Sequence, residues 1–256
     1  RHDIRCITPD DANDPATSAL IAESRPDFLF SFYYRQMLSP AVLASAPRGA
    51  FNMHGSLLPR FRGRVPVNWA VIRGARETGA TLHEMVEKPD AGRIVDQQAV
   101  PILPDDTAGD VFDKVTVAAE LVLYRALPAL VEGRAELRPQ DLAQGSYFGG
   151  RRPEDGRIRW SESAQSIHDL VRGVAPPYPG AFTEIDGCRL RILRTQLAPR
   201  RRPHSALPGL HVENARLYAS CGDGNSLQLL EVEVDGALIT AEALARRFGP
   251  SIALPT

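Results

Sequence analysis

Apolar residues first recur at helical spacing in PATSALIAESRP (15–26) and then close into one continuous run, DFLFSF (27–32). The first pattern predicts a helix and the second a short buried strand. SPAVLASAP (39–47) reads as a short helix with Ser39 as its N-cap and Pro40 at the first position. GAFNMH (49–54) is the next strand. VPVNWAVIRG (65–74) is a helix entered by Pro66 and closed by Gly74. ATLHEMV (80–86) and GRIVDQQAVPI (92–102) alternate well enough to be strands, and residues 107–133 form a long amphipathic helix ending at Gly133. This alternation of strand and helix predicts an α/β layer with a largely parallel sheet.

The pattern changes near residue 134. Residues 136–160 are polar, rich in Gly and Arg, and weakly periodic, which reads as a linker. SAQSIHDLVRGV (163–174) is then a helix and PPYPG (176–180) a turn. AFTEIDGCRLRILRTQL (181–197) is a hairpin pivoting on Asp186-Gly187, and residues 215–234 are a second hairpin pivoting near Asp223-Gly224. A last helix covers TAEALARRF (240–248). The expected organisation is a catalytic α/β domain over 1–134, a linker over 135–160, and a smaller β-rich, barrel-like domain over 161–256. PRRRPHSALPG (199–209) reads as a solvated loop.

Composition narrows the class. The chain has 256 residues, 43% hydrophobic and 24% charged, as ordinary globular domains do. Its formal net charge of −1 weighs against a nucleic-acid-gripping role. No apolar run reaches bilayer length, so no membrane insertion is expected, and the N-terminus has no signal-peptide core. Cys6, Cys188 and Cys221 are too scattered for a disulfide framework or a C-x-x-C metal site. They read as reduced structural thiols in a cytoplasmic protein, and the dispersed histidines suggest no metal site. The chain opens abruptly, close to its first strand, so further residues are expected ahead of it.

The chemistry concentrates in FNMHGSLLPRFRGRVP (51–66). Strand side chains alternate faces, so Asn52 and His54 point one way while Phe51 and Met53 point the other. Gly55 and the following turn put both polar groups at the strand's C-terminal end, where open α/β sheets bind ligands. An amide beside an imidazole suits a tetrahedral oxyanion, Asn as a fixed dipole and His as a proton carrier. Capping of nearby backbone is the plainer alternative. Asp90, in EKPDAGRIV (87–95), could orient His54 and raise its pKa, or could be simply a turn residue. Arg60, Arg62 and Arg64 could hold an anion or form a solvated basic loop. His83 reads as a satisfied structural histidine that could instead face the site. Trp69 and Trp160 read as packing anchors, and Tyr33 and Tyr34 could line a pocket.

Together, N-x-H-G-S-L-L-P, ETGATLHEM and DAGRIV resemble the folate-dependent formyltransferase family. The resemblance implies a Rossmann-like α/β domain with a mostly parallel sheet and a smaller OB-like C-terminal domain. It implies transfer of a formyl group from 10-formyltetrahydrofolate, as co-substrate, to an amine, with no metal. FSFYYR (30–35), GAFNMHGSLLPRFRGRVPVNW (49–69), GRRPEDGRIRW (150–160) and PYPGAF (177–182) are most similar to the subgroup that formylates UDP-4-amino-4-deoxy-L-arabinose for lipid A modification and polymyxin resistance. The family pattern opens with a further βαβ unit, expected ahead of Arg1.

By that resemblance Asn52, His54 and Asp90 are the catalytic residues. Asn52 would hold the formyl oxygen, His54 would serve as the proton-transferring acid, and Asp90 would keep His54 charged or raise its pKa; the resemblance leaves open which of the two first takes the amine proton. Folate is expected along Gln36, Met37 and Leu38, beside Arg64, and along Val86, Glu87, Lys88, Pro89 and Asp90. The partner is a nucleotide-linked amino sugar, and the resemblance leaves a homo-oligomer open. Three enzymatic rivals are formylation of methionyl-tRNA, of another nucleotide-linked amino sugar, or of water, which would release formate. A non-catalytic folate- or nucleotide-binding module is the fourth, and the intact trio argues against it.

Overall fold

The computed structural model describes residues 4–198 and 207–254. Most of the Pro- and Arg-rich loop expected at 199–209 therefore lies outside the described residues. The chain divides into two compact units: residues up to Gly63 with Gly79–Gln98 and Val117–Tyr147, and Arg64–Thr78 with Ala99–Thr116 and the chain from Phe148.

The elements of the α/β region follow the order α1 (Pro15–Glu23), β1 (Leu29–Phe32), α2 (Pro40–Ala44), β2 (Ala50–His54), β3 (Arg62–Gly63), α3 (Pro66–Ile72), β4 (Glu77–Glu84), β5 (Ile94–Pro101) and α4 (Ala108–Val131). Local chemistry starts the helices where the sequence indicates. Asp14 caps α1 by accepting from the N–H groups of Ala16 and Thr17, and Ser39 caps α2 by accepting from Val42 N–H. Four strands form the first sheet in the order β1-β2-β4-β5. β1 and β2 run parallel, joined through α2. β4 then runs antiparallel to β2 in the register Asn52↔His83 and His54↔Thr81. That register puts Asn52, His54, Thr81 and His83 on one face, because residues directly opposite share a face and alternation preserves it. The opposite face carries buried Phe51, Met53 and Leu82, and Phe51 packs against the Phe28 and Phe30 rings at centroid distances of 6.2 and 5.7 Å. Arg48 donates to the carbonyls of Leu130 and Val131, serving the open C-terminal carbonyls of α4.

In the second unit α5 (Ala164–Gly173) packs against α3 and against the long strand of a curled antiparallel sheet. A two-residue strand, β6 (Tyr147–Phe148), precedes that sheet, with short helical turns on either side at 142–144 and 153–156. The sheet's strands are β7 (Ala181–Ile185), β8 (Cys188–Ala198), β9 (Gly209–Glu213), β10 (Arg216–Ser220), β11 (Ser226–Val234), β12 (Ala237–Leu238) and β13 (Ser251–Ala253), with α6 (Ala241–Phe248) before the last. Its path is β13-β9-β10-β11-β8-β7, with β12 paired to β11, and it makes half a barrel. The β7–β8 hairpin turns on Asp186 (φ 48°) and Gly187 (φ 77°), the doubly left-handed geometry that this dipeptide favours. A hairpin between β9 and β10 turns on Asn214 and Ala215, both at positive φ. Ala215 lacks the usual turn chemistry, which is why the sequence pattern does not disclose it. Trp160 is fully buried at the centre of this core and donates its indole N–H to Thr183 Oγ1 at 3.1 Å. His168 and Arg172 on α5 are buried and committed. His168 Nδ1 meets Thr195 Oγ1 at 2.9 Å, its Nε2 meets the Pro104 carbonyl at 3.1 Å, and Arg172 donates to Asp169.

Candidate active site

The first unit brings Asn52, His54 and Asp90 together. His54 and Asn52 project from the end of β2, and the segment after it is held as a fixed scaffold. Thr81 Oγ1 donates to Ser56 O at 2.6 Å and accepts from Leu58 N–H at 3.2 Å. Gln97 donates to Leu58 O at 2.9 Å, and Phe61 N–H donates to Ser146 Oγ at 2.8 Å. Held this way, the Phe61 carbonyl reaches His54 Nε2 at 2.9 Å. A carbonyl only accepts, so Nε2 carries the hydrogen and the lone pair of the neutral ring is on Nδ1.

That lone pair faces a carboxylate. His54 Nδ1 is 3.4 Å from Asp90 Oδ1. Asp90 stands in a left-handed turn (φ 53°) after β4, and Gly63 N–H donates to its Oδ2 at 2.7 Å. Gln140 donates to the backbone carbonyls of Asp90 and Gly92, at 3.1 and 2.6 Å. Gly92 is required there, because a Cβ at that position would lie 2.1 Å from the Glu84 carbonyl oxygen. One carboxylate oxygen is thus fixed by backbone, and the other is offered to the imidazoles.

The sequence reading of His83 as structural is only half of its role. His83 Nδ1 meets the Glu84 carbonyl at 2.7 Å, so Nδ1 carries its hydrogen. Its Nε2 is 3.5 Å from Asp90 Oδ1 and 3.3 Å from Asn52 Nδ2. In its neutral form His83 therefore accepts from the Asn52 amide and sets which way that amide points. The clue lay in the sequence: with β2 and β4 adjacent and antiparallel, a period-two strand puts a histidine opposite Asn52. Only the register supplies the pairing.

Burial pushes the pKa of His54 down. The Asp90 charge and the Phe61 hydrogen bond pull it up, and the His83 charge adds to the lowering. Asp90 acts in the expected direction, raising the His54 pKa, but desolvation of the buried ring is the larger effect and lowers it. Burial by itself would raise the Asp90 carboxyl. Its contacts with His83 and His54 and the Gly63 N–H outweigh that and hold it below the usual carboxylate range. A neutral imidazole whose lone pair points at a carboxylate is a ready proton acceptor, since a proton arriving on Nδ1 completes a bond to Asp90.

The expected folate positions divide. After β1, Phe32, Tyr33, Tyr34 and Met37 leave large apolar surfaces exposed. Gln36 accepts from Tyr34 OH and donates to Asp10 O, and the Met37 carbonyl accepts from Asn13. Leu38 is half-buried beside them. After β4, Val86, Glu87 and Lys88 are exposed and Pro89 half-buried. Arg64 belongs to the other unit, where it is exposed and its N–H donates to the Phe148 carbonyl at 2.9 Å. The three arginines of the loop do not act alike: Arg62 is buried, while Arg60 is exposed with its guanidinium 5.5 Å from the Phe61 ring.

A family model described as formyl transferase matches residues 3–127, and one described as formyl transferase, C-terminal domain, matches residues 151–249. An N-formyltransferase from Helicobacter canadensis, solved with folinic acid and dTDP-3-aminofucose, superposes with a TM-score of 0.65 at 20% identity, over 78% of this chain and 72% of that one. WlaRD, a sugar 3N-formyltransferase solved in the presence of dTDP and 5-N-formyl-THF, gives 0.64 at 20% identity, over 81% and 74%. HypX from Aquifex aeolicus, in complex with tetrahydrofolic acid, gives 0.64 at 18% identity, over 91% of this chain but 41% of that one. At these identities the solved structures share the fold.

Proposed function

The chain belongs to the formyl transferase family, and on that premise we propose that it transfers the formyl group of 10-formyltetrahydrofolate to the amine of a nucleotide-linked amino sugar. The observation that carries this reading is the Asn52–His54–Asp90 cluster, with a neutral imidazole aimed at a fixed carboxylate. The Helicobacter enzyme and WlaRD, solved with folates and with dTDP or a dTDP-sugar, support the substrate class.

The unprotonated amine attacks the formyl carbon, and negative charge grows on the formyl oxygen. Asn52 has two amide hydrogens. One is directed to His83, and the other donates to the oxyanion. Neutral His54 takes the proton that the amine loses, and Asp90 stabilises the imidazolium so formed. As the carbon–N10 bond breaks, that proton passes to N10, so one amine proton is lost and one N10 proton gained. The exposed apolar group of Phe32, Tyr33, Tyr34 and Met37 suits the flat face of the folate, with Gln36, Leu38 and the 86–90 loop lining its edge.

The finer acceptor is UDP-4-amino-4-deoxy-L-arabinose, on the strength of the four sequence stretches named above. The dTDP-sugar of the Helicobacter relative favours a second reading, a dTDP-linked amino sugar. A formyl-transfer assay with both acceptors decides between them. Formate release without transfer to either, or transfer to methionyl-tRNA alone, overturns the proposal.

A further inference from the structure

Within the second unit, the Trp69 and Phe148 rings stack with centroids 4.9 Å apart and planes inclined by 24°. Trp69 is anchored by its indole N–H, which donates to the Gly149 carbonyl at 3.0 Å. Two guanidinium groups flank this pair. Arg73 is 5.7 Å from the Trp69 centroid and 5.5 Å from that of Phe148, and Arg151 is 4.9 Å from Trp69.

Other arginine–aromatic contacts in this unit differ in one respect. Arg157 and Arg189 lie over Phe182, and both reach the Glu184 carboxylate, at 3.0 and 3.7 Å. Arg247 lies over Phe248 and pairs with Asp235 at 2.9 Å. Among the described residues, Arg73 and Arg151 have no such carboxylate. Arg151 donates to the backbone carbonyl of Asp155 at 2.9 Å, while the Asp155 carboxylate takes Arg152 N–H at 2.7 Å. Burial presses the Arg151 guanidinium toward deprotonation, against the favourable charge of Asp155. A half-buried cation without a carboxylate, against an aromatic pair that a second guanidinium also approaches, is a costly arrangement to keep unless an anion completes it. Gly149 leaves the approach clear, since a Cβ there would meet nothing within 4 Å.

We infer that Trp69, Phe148, Arg73 and Arg151 bind the nucleoside diphosphate portion of the acceptor. The base rests against the stacked rings and the guanidinium groups take the pyrophosphate. Both halves of the match are chemical: aromatic faces stack on bases of any identity, and planar guanidinium forks fit phosphate oxygens. The inference rests on the acceptor being a nucleotide-linked amino sugar. A folate offers a similar combination of flat ring and anionic tail, so the test separates the two.

The test titrates the full chain with UDP, dTDP and, separately, folinic acid by calorimetry, in wild type and in Arg73→Ala, Arg151→Ala and Arg189→Ala. Charge-assisted contacts of about 1.5–3 kcal/mol correspond to a loss of roughly 10- to 100-fold in nucleotide affinity for the first two substitutions. Folinic acid binding stays within about twofold in all, and Arg189→Ala binds nucleotide as wild type does. Arg73 is exposed, so its truncation leaves the fold intact. Unchanged nucleotide affinity in both variants, loss of folinic acid instead, or no nucleotide binding by wild type overturns the inference. The formyl-transfer assay is read independently. If nucleotide binding depends on both arginines but no nucleotide-linked amine is formylated, the site stands and the proposed reaction falls. If such an amine is formylated with unchanged KM in both variants, the reaction stands and the site falls.

Discussion

His54 and His83 face the same oxygen of Asp90, at 3.4 and 3.5 Å, with their rings 6.3 Å apart and nearly perpendicular. Each ring has its far nitrogen committed to a backbone carbonyl. The near nitrogens, the carboxylate and the Asn52 amide therefore form one polar group, and the orientation of each member depends on the others. Replacing His83 with Ala releases the Asn52 amide from its partner. The expected result is a fall in kcat of about 10- to 100-fold with little change in either KM, the pattern of a positioning residue. Steady-state kinetics on a variant whose melting shows it folded checks this, and a full kcat would contradict it.

Asn52 is the one side-chain amide of that group, and in the proposed mechanism its free hydrogen is the oxyanion donor. Asn52→Ala is expected to lower kcat by about 10²- to 10³-fold, the cost of one lost preorganised donor. Because His83 acts through Asn52, the double substitution should cost less than the product of the two single losses. Independent, multiplicative effects would separate the two residues.

In the proposed mechanism the acid limb of kcat/KM belongs to His54, which must be neutral to accept a proton. Burial lowers its pKa, so the limb is expected below the ordinary imidazole value of about 6.5. Asp90→Asn removes a raising influence and moves the His54 titration to lower pH. NMR titration of the ring protons reads the shift even where turnover is small. The same depression has a consequence for stability: the folded state disfavours the protonated ring. The His54 contribution is fully present above about pH 6.5 and is lost as pH falls through the folded pKa.

Gly92→Ala tests the turn that carries Asp90. Its Cβ would meet the Glu84 carbonyl oxygen at 2.1 Å, a backbone contact that no side-chain rotation relieves. A destabilisation of about 1–3 kcal/mol is expected by denaturant titration, as for other overpacked sites. Turnover should fall with it, because Asp90 is displaced from His54. Wild-type stability and rate would show that the turn accommodates the methyl group.

Much of this site is legible in the sequence. Period-two alternation places Asn52 and His54 on one face of β2, and a Gly two residues after Asp90 marks the turn that delivers it. Capping by Ser39, the entry of α3 at Pro66 and the Asp186-Gly187 hairpin follow from side chains acting on their own backbone. Less legible are the contacts between distant segments. Gly63 N–H on Asp90, the Phe61 carbonyl on His54 and Gln140 on the Asp90 turn join residues 7 to 50 positions apart, and no local pattern announces them.

The sequence by itself determined where the strands and helices form and which residue types could do acyl-transfer chemistry, because those depend on periodicity, caps and turns within a few residues. The tertiary structure decided the state in which that chemistry rests. The antiparallel β2–β4 register brought His83 onto Asn52 and Asp90, and burial lowered the His54 pKa against the pull of Asp90. Register and desolvation are properties of the packed chain, set by neighbours that lie far apart in the sequence.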